Sequence, residues 1–288
     1  MLQQSGTKME ELIHLENGNL EAQVYKGQLV SFSKNGIEYV HGGGKPDKLK
    51  SPADRIGWNK SEIFMFPVTG PVYTYKVQVG DAFFPQDQHG TARLISFNVL
   101  NVNADSVSLI QVYDGRKRTN PKHETNPKSP EHLIWLPYTL EKTIKLQNDH
   151  LKATFILTNT SNEVMPYMFG WHPTFKAPLD GKDGVFEANH AQYSLEKIIE
   201  LEPKGGLLLP GVDSIRFTDK KTGQFVEVLS EGFGNMMLWS PGKESSQVCI
   251  EPVTHLPVLD GQQNYFSSGI FEQLEPQQQK TYSVVIKI

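Results

Sequence analysis

A single cysteine, Cys249, stands among 288 residues, which excludes an internal disulfide framework and any cysteine-rich zinc site. Set between Val248 and Ile250, it reads as a buried strand residue rather than a nucleophile. An excess of positive charge is also missing. Lys and Arg number 28 against 32 Asp and Glu, for a net charge of -4 with no basic run. A phosphate backbone or an anionic membrane therefore finds no concentrated cationic face, and neither nucleic acid nor membrane is an expected partner. The opening stretch from Met1 to Asn19 has no apolar run to serve as a secretory segment or membrane span, so the expected location is cytoplasmic.

Metal and phosphate signatures are equally scarce. There is no HExxH, no closely spaced histidine pair and no aspartate-rich calcium loop. Gly42, Gly43 and Gly44 lead into Lys45 and Pro46 without a strand-to-helix context, so they read as a flexible turn and not as a phosphate loop. No cofactor and no metal are expected, with histidines and a glutamate converging from distant strands left as the zinc alternative. Long helical stripes are absent too, and the best helical candidate, Ser194 to Leu201, is short enough to be a strand or one turn.

What the chain has in quantity is period-2 alternation rich in β-branched and aromatic residues. Leu20 to Tyr25, a turn at Gly27, and Leu29 to Phe32 open the pattern, and Asn35-Gly36 joins the last of these to Ile37 to Val40. Both turn residues tolerate the positive φ of a type I′ hairpin. The pattern recurs at Ala92 to Asn101 with Ser106 to Tyr113, at Tyr138 to Leu146 with Leu151 to Asn159, and through to Thr281 to Ile288. Many short strands punctuated by Gly, Pro and Asn predict an all-β sandwich of packed, mostly antiparallel sheets. With no repeat or linker, residues 1–288 read as a single domain, monomer or homodimer. The longest irregular stretch, Asp114 to Glu131, is either a solvated loop or a lid.

Polar, titratable residues sit in apolar or turn-rich surroundings at three places. In Gln88-His89-Gly90-Thr91-Ala92-Arg93, a histidine enters a strand through a glycine turn, as a hydrogen-bonded structural residue or as a catalyst. In Gly170-Trp171-His172-Pro173-Thr174-Phe175, an imidazole lies in an aromatic run, and such rings pack on the C–H face of a pyranose. The alternative is a core histidine. In Cys249-Ile250-Glu251-Pro252, a carboxylate closes an apolar strand that Pro252 is expected to end, either exposed at the rim or buried with a partner.

These segments, in this order, resemble the aldose 1-epimerase (galactose mutarotase-like) family, in its bacterial branch of LacX-like proteins and hexose-6-phosphate epimerases. They look like its QHGFAR, G-x-H-P-Y-F and CIEP elements, and Ile63 to Gly70 is similar to its LFP-x-x-G segment. The resemblance implies a β-supersandwich that interconverts the α- and β-anomers of a hexose. It implies His172 as general acid, Glu251 as general base, and His89, Arg93 and Trp171 as sugar-binding residues. An ionised Glu251 is expected to raise the pKa of His172 and keep it protonated. The chain departs from the pattern at Pro71, Thr91 and Thr174, which are expected to alter the pocket lining. Pro71 stands where the family has arginine, so a neutral hexose is favoured over a phosphorylated one, with Arg55 or Lys60 as compensating cations. A non-catalytic carbohydrate-binding protein is the alternative, and a glycosidase needs a second carboxylate, Asp87 or Asp260.

Overall fold

The computed structural model describes residues 12–41, 62–177, 182–242, 246–257, 266 and 271–288. Gly42 to Gly44, Arg55, Lys60 and Asp260 lie outside the described residues. Among those described, the strands form three larger antiparallel sheets and three two-stranded ribbons.

The first sheet is the meander of Ile13–Asn17, Leu20–Tyr25, Gln28–Lys34 and Ile37–Glu38. Its last turn is built on Asn35 at φ 52° and Gly36 at φ 76°, as the Asn-Gly signal predicts. The second, of nine strands, contains Tyr138–Leu146 and His150–Asn159, which pair in unbroken register from Tyr138↔Asn159 to Leu146↔Leu151. In His150–Asn159 every second residue is buried, which is the sequence alternation expressed as one face on the core.

The third sheet runs Leu207–Pro210, Asn235–Trp239, Gln247–Val253, Gly170–Lys176, Glu62–Met65. One face packs on the nine-stranded sheet through Phe64 and Trp171, whose rings lie 5.3 Å and 5.4 Å from that of Phe155. Between the sheets Lys142 is fully buried, bonded to the Glu62 carboxylate and, at 3.0 Å, to the carbonyl of Gly27. Glu62 also accepts from the backbone of Leu29 at 2.9 Å and from the Trp171 indole at 2.6 Å, so neither buried charge lacks partners.

Three local expectations change. Residues Ala92–Leu94 form a 3₁₀ turn and the strand begins at Phe97. Ser194 to Leu201 divides into the end of a strand and the helix Leu195–Leu201, with the Ser194 hydroxyl capping the Lys197 amide at 3.2 Å. Pro252 does not end its strand: it pairs with Met236 inside Gln247–Val253, removing one N–H from the ladder without breaking it.

Candidate active site

Antiparallel register decides which side chains meet. Gly170 pairs with Val253 and Thr174 with Cys249, a register that sets His172 across from Glu251. On the flanking strands Ile63 pairs with His172 and Met237 with Glu251. Ile63, His172, Glu251 and Met237 thus form one row across four strands, and all four line the floor of a cleft of about 590 Å³. The Nε2 of His172 lies 3.4 Å from Oε1 of Glu251, with both residues buried. Beside them Trp239 supplies an aromatic wall, its ring 6.3 Å from that of His172.

Trp171 is a correction. Strand neighbours point to opposite faces, so the row that sends His172 into the cleft sends Trp171 into the core, where it is fully buried and bonded to Glu62. Trp239 occupies the cleft position that the sequence reading gave to Trp171.

His89 reaches the cleft from a tight loop. Its amide donates to the Gly70 carbonyl, its own carbonyl accepts from the Phe66 amide, and the Phe66 carbonyl accepts from the Ala92 amide, at 3.0–3.1 Å. His89 has φ 64° and Gly90 φ 72°, and a Cβ on Gly90 would lie 2.3 Å from the Phe66 oxygen. Only glycine fits that approach. The loop presents the His89 ring edge-on to His172, with centroids 5.6 Å apart.

Arg93 lines the same cleft. Its Nε donates to the Gln88 carbonyl at 3.0 Å, and its terminal nitrogen lies 3.3 Å from the Asn120 amide oxygen and 3.5 Å from Asp87. Asp87, buried, also accepts from Ser129 at 2.5 Å, Asn120 at 3.0 Å and Lys122 at 3.2 Å. Through this carboxylate the irregular stretch from Asp114 to Glu131 is fastened to the His89 loop, and it contributes Lys122 to the cleft wall. Buried Asn120 and Ser129 are its anchors, so this part of the stretch is packed wall. Burial acts to raise the Asp87 carboxyl, but hydrogen bonds from Ser129, Asn120 and the Gln88 amide, with the Lys122 charge, hold it below the usual range.

Of the three departures from the family pattern, Pro71 alone lines the cleft. Thr91 is buried, donating to Gln86 at 3.0 Å, and Thr174 is buried with its hydroxyl 3.4 Å from the Cys249 sulfur. The altered lining expected at these two positions is therefore not found. Sequence reading missed Trp239, Met237, Lys122, Glu202 and Lys204, all of which line the cleft.

The electrostatic expectation for the central pair is reversed. Burial lowers His172 to about 4 and raises Glu251 to about 8, because each loses more hydration in its charged form than its neighbour returns. His89 is held well below the ordinary histidine range by burial, then by His172 and Arg93. Between pH 4 and 8 the pair keeps one proton, resting on Glu251.

Comparison with known proteins agrees with this architecture. No family model matches the chain. Among solved structures, a galactose mutarotase-like protein from Lactobacillus casei ATCC 334 superposes with a TM-score of 0.74 at 19% identity, over 96% of this chain and 99% of that one. The chain has the galactose mutarotase-like fold. A putative aldose 1-epimerase from Escherichia coli K12 shares this mutarotase-like architecture, with a TM-score of 0.69 at 16% identity, over 96% of this chain and 98% of that one. In sequence, the chromosomal LacX protein of Lactococcus lactis subsp. lactis is 24% identical over 290 residues, covering 83% of this chain and 86% of the relative. The resemblance to LacX-like proteins with a mutarotase-like fold is thereby borne out. Among the described residues no helix is long and apolar enough to cross a membrane.

Proposed function

We propose that the protein is an aldose 1-epimerase that interconverts the α- and β-anomers of a hexose, with His172 and Glu251 as its acid–base pair. The observation that carries this reading is the 3.4 Å approach of a buried imidazole and a buried carboxylate on the floor of an aromatic-walled cleft. Burying both groups is costly, and the Oε2 of Glu251 has no hydrogen-bond partner. A sugar hydroxyl could satisfy that oxygen in a binding protein, but anomerisation needs both a proton donor and a proton acceptor at the sugar, which the pair supplies. Ring opening removes the C1 hydroxyl proton while the ring oxygen receives one, and closure on the other face of C1 reverses both transfers. Glu251 in its ionised form takes the hydroxyl proton, and protonated His172 delivers one to the ring oxygen. This working form is the one-proton pair with its proton moved from Glu251 to His172. A correctly placed acid or base contributes on the order of 10²–10⁴ in rate. His89 and Arg93, on the adjacent wall, bind the sugar hydroxyls.

A neutral hexose fits the charges better than a phosphorylated one. Arg93 and Lys122 already share Asp87, at 3.5 Å and 3.2 Å, and Lys204 lines the cleft together with Glu202. The test is anomer exchange followed by polarimetry or NMR on freshly dissolved α-glucose, α-galactose and a hexose 6-phosphate. Wild type should accelerate a neutral sugar, and His172→Asn and Glu251→Gln, shown folded by circular dichroism, should lose at least 10²-fold. Full activity in either variant, or no acceleration of any sugar by wild type, would overturn the proposal.

A further inference from the structure

The strand register that opposes His172 to Glu251 brings a third ligand-type side chain to them. Cys249 lies two residues before Glu251 in Gln247–Val253 and pairs with Thr174, two residues after His172, so all of these project from the same face of the sheet. A ring nitrogen of His172, the Cys249 sulfur and a Glu251 carboxylate oxygen lie within 4.8 Å of one another, and all three residues are buried. The orphaned Oε2 of Glu251 supplies an independent sign that the site is built to receive a ligand.

We propose that His172, Cys249 and Glu251 form a three-ligand site for a thiophilic divalent cation of the Zn²⁺ type, with its fourth position open to the cleft. One nitrogen, one thiolate and one carboxylate oxygen make a donor set of the kind Zn²⁺ takes, at metal–ligand distances of about 2.0–2.3 Å. A tetrahedron of that size has ligand–ligand edges of roughly 3.3–3.8 Å. The His172–Glu251 separation of 3.4 Å already meets it, and the edges to sulfur, up to 4.8 Å, need a contraction of about 1.3 Å at most. On binding, the thiol and carboxyl protons leave to solvent. The ion with one thiolate and one carboxylate is then neutral, as a buried site requires. Bound metal occupies the imidazole and carboxylate lone pairs, so it reversibly blocks the acid–base pair. This last consequence rests on the epimerase reading; the binding does not.

The test uses the full chain stripped of metal with a chelator. Titration calorimetry with ZnCl₂ should show one site per chain, and Co²⁺ should produce a thiolate-to-metal charge-transfer band. With one cysteine in the sequence, that band reports Cys249 without need of a variant. Cys249→Ser, checked for an unchanged circular dichroism spectrum, should bind Zn²⁺ at least tenfold more weakly and give no band. It should keep wild-type anomer exchange while losing inhibition by Zn²⁺, and EDTA should restore activity to zinc-treated wild type. Absence of the Co²⁺ band, or equal Zn²⁺ affinity in Cys249→Ser, would overturn the site. Wild type that binds Zn²⁺ but exchanges no sugar anomers would leave the site standing and sink the epimerase reading.

Discussion

His172 Nε2 and Glu251 Oε1 face each other at 3.4 Å from neighbouring antiparallel strands, in surroundings that disfavour a charge on either. One proton, resting on Glu251 beside a neutral His172, is the state this environment selects across most of the neutral range.

The pH–rate profile should show it. Because burial lowers His172 to about 4 and raises Glu251 to about 8, the one-proton pair persists between those values. Activity should fall below about pH 4 as a second proton binds His172, and above about pH 8 as the last leaves Glu251. Ordinary side-chain values would confine the one-proton pair to a narrow bell between about 4.5 and 6.5. Measuring kcat/KM for anomer exchange, with the uncatalysed rate subtracted at each pH, separates the two. An enzyme already failing at pH 7 contradicts the buried-pair description.

Stability carries the same signature with a definite sign. Unfolded, Glu251 titrates near the ordinary 4.5; folded, near 8. Below pH 4.5 both states hold the proton and its burial carries no ionisation penalty. From 4.5 to 8 the unfolded chain releases a proton that the folded chain retains, so folding weakens by up to about 1.4 kcal/mol per pH unit. Glu251→Gln lacks this term. Its stability relative to wild type should therefore rise by up to about 5 kcal/mol from pH 4.5 to 8 and level off above. His172, depressed in both proteins, loses its contribution as pH falls from 6.5 towards 4 and cancels in the comparison. Urea unfolding at pH 5 and 8.5 measures the difference, and a gap that stays constant defeats the assignment.

The sandwich was legible because alternation is local: Tyr138 to Leu146 and its partner strand carry their burial pattern in their own residues. His172 and Glu251 were legible as motif residues, yet their opposition depends on a pairing register between residues far apart in sequence. Trp171 misled because its chemistry suited a sugar while its parity did not; a strand that turns His172 outward must turn Trp171 inward. The same parity, applied to Asn235–Trp239, contained a signal for Trp239. Lys122 and Lys204 left none, since they reach the cleft through the tertiary placement of two short helical turns. The low pKa of His172 was also hidden, because desolvation depends on what the whole fold stacks around it.

Two tryptophans test that parity argument. Trp171→Phe removes the donor 2.6 Å from the buried Glu62 carboxylate, and should cost about 1–3 kcal/mol of stability while leaving KM for the sugar within twofold of wild type. Trp239→Ala, which strips the cleft wall, should raise KM at least tenfold with a smaller effect on stability. Denaturation midpoints and Michaelis curves on both variants decide it; the opposite pattern would return Trp171 to the site.

Asp87 should behave as a positioning residue. Its carboxylate joins Ser129, Asn120, Lys122 and Arg93, so Asp87→Asn removes the charge that holds two cleft cations while keeping the side chain's size. Losing charge-assisted hydrogen bonds in a buried hub should destabilise the protein by about 2–3 kcal/mol at neutral pH. The sign of the pH dependence follows from the depressed carboxyl: its contribution is complete above the ordinary carboxylate pKa and is lost as pH falls through the lower folded value. The gap between wild type and Asp87→Asn should therefore close in acid. In kinetics, loosened Arg93 and Lys122 weaken sugar binding without touching the acid–base pair, so KM should rise about tenfold with kcat within threefold. A variant that lost kcat and kept KM would place Asp87 in the chemistry instead, with Arg93 no longer the residue it orients.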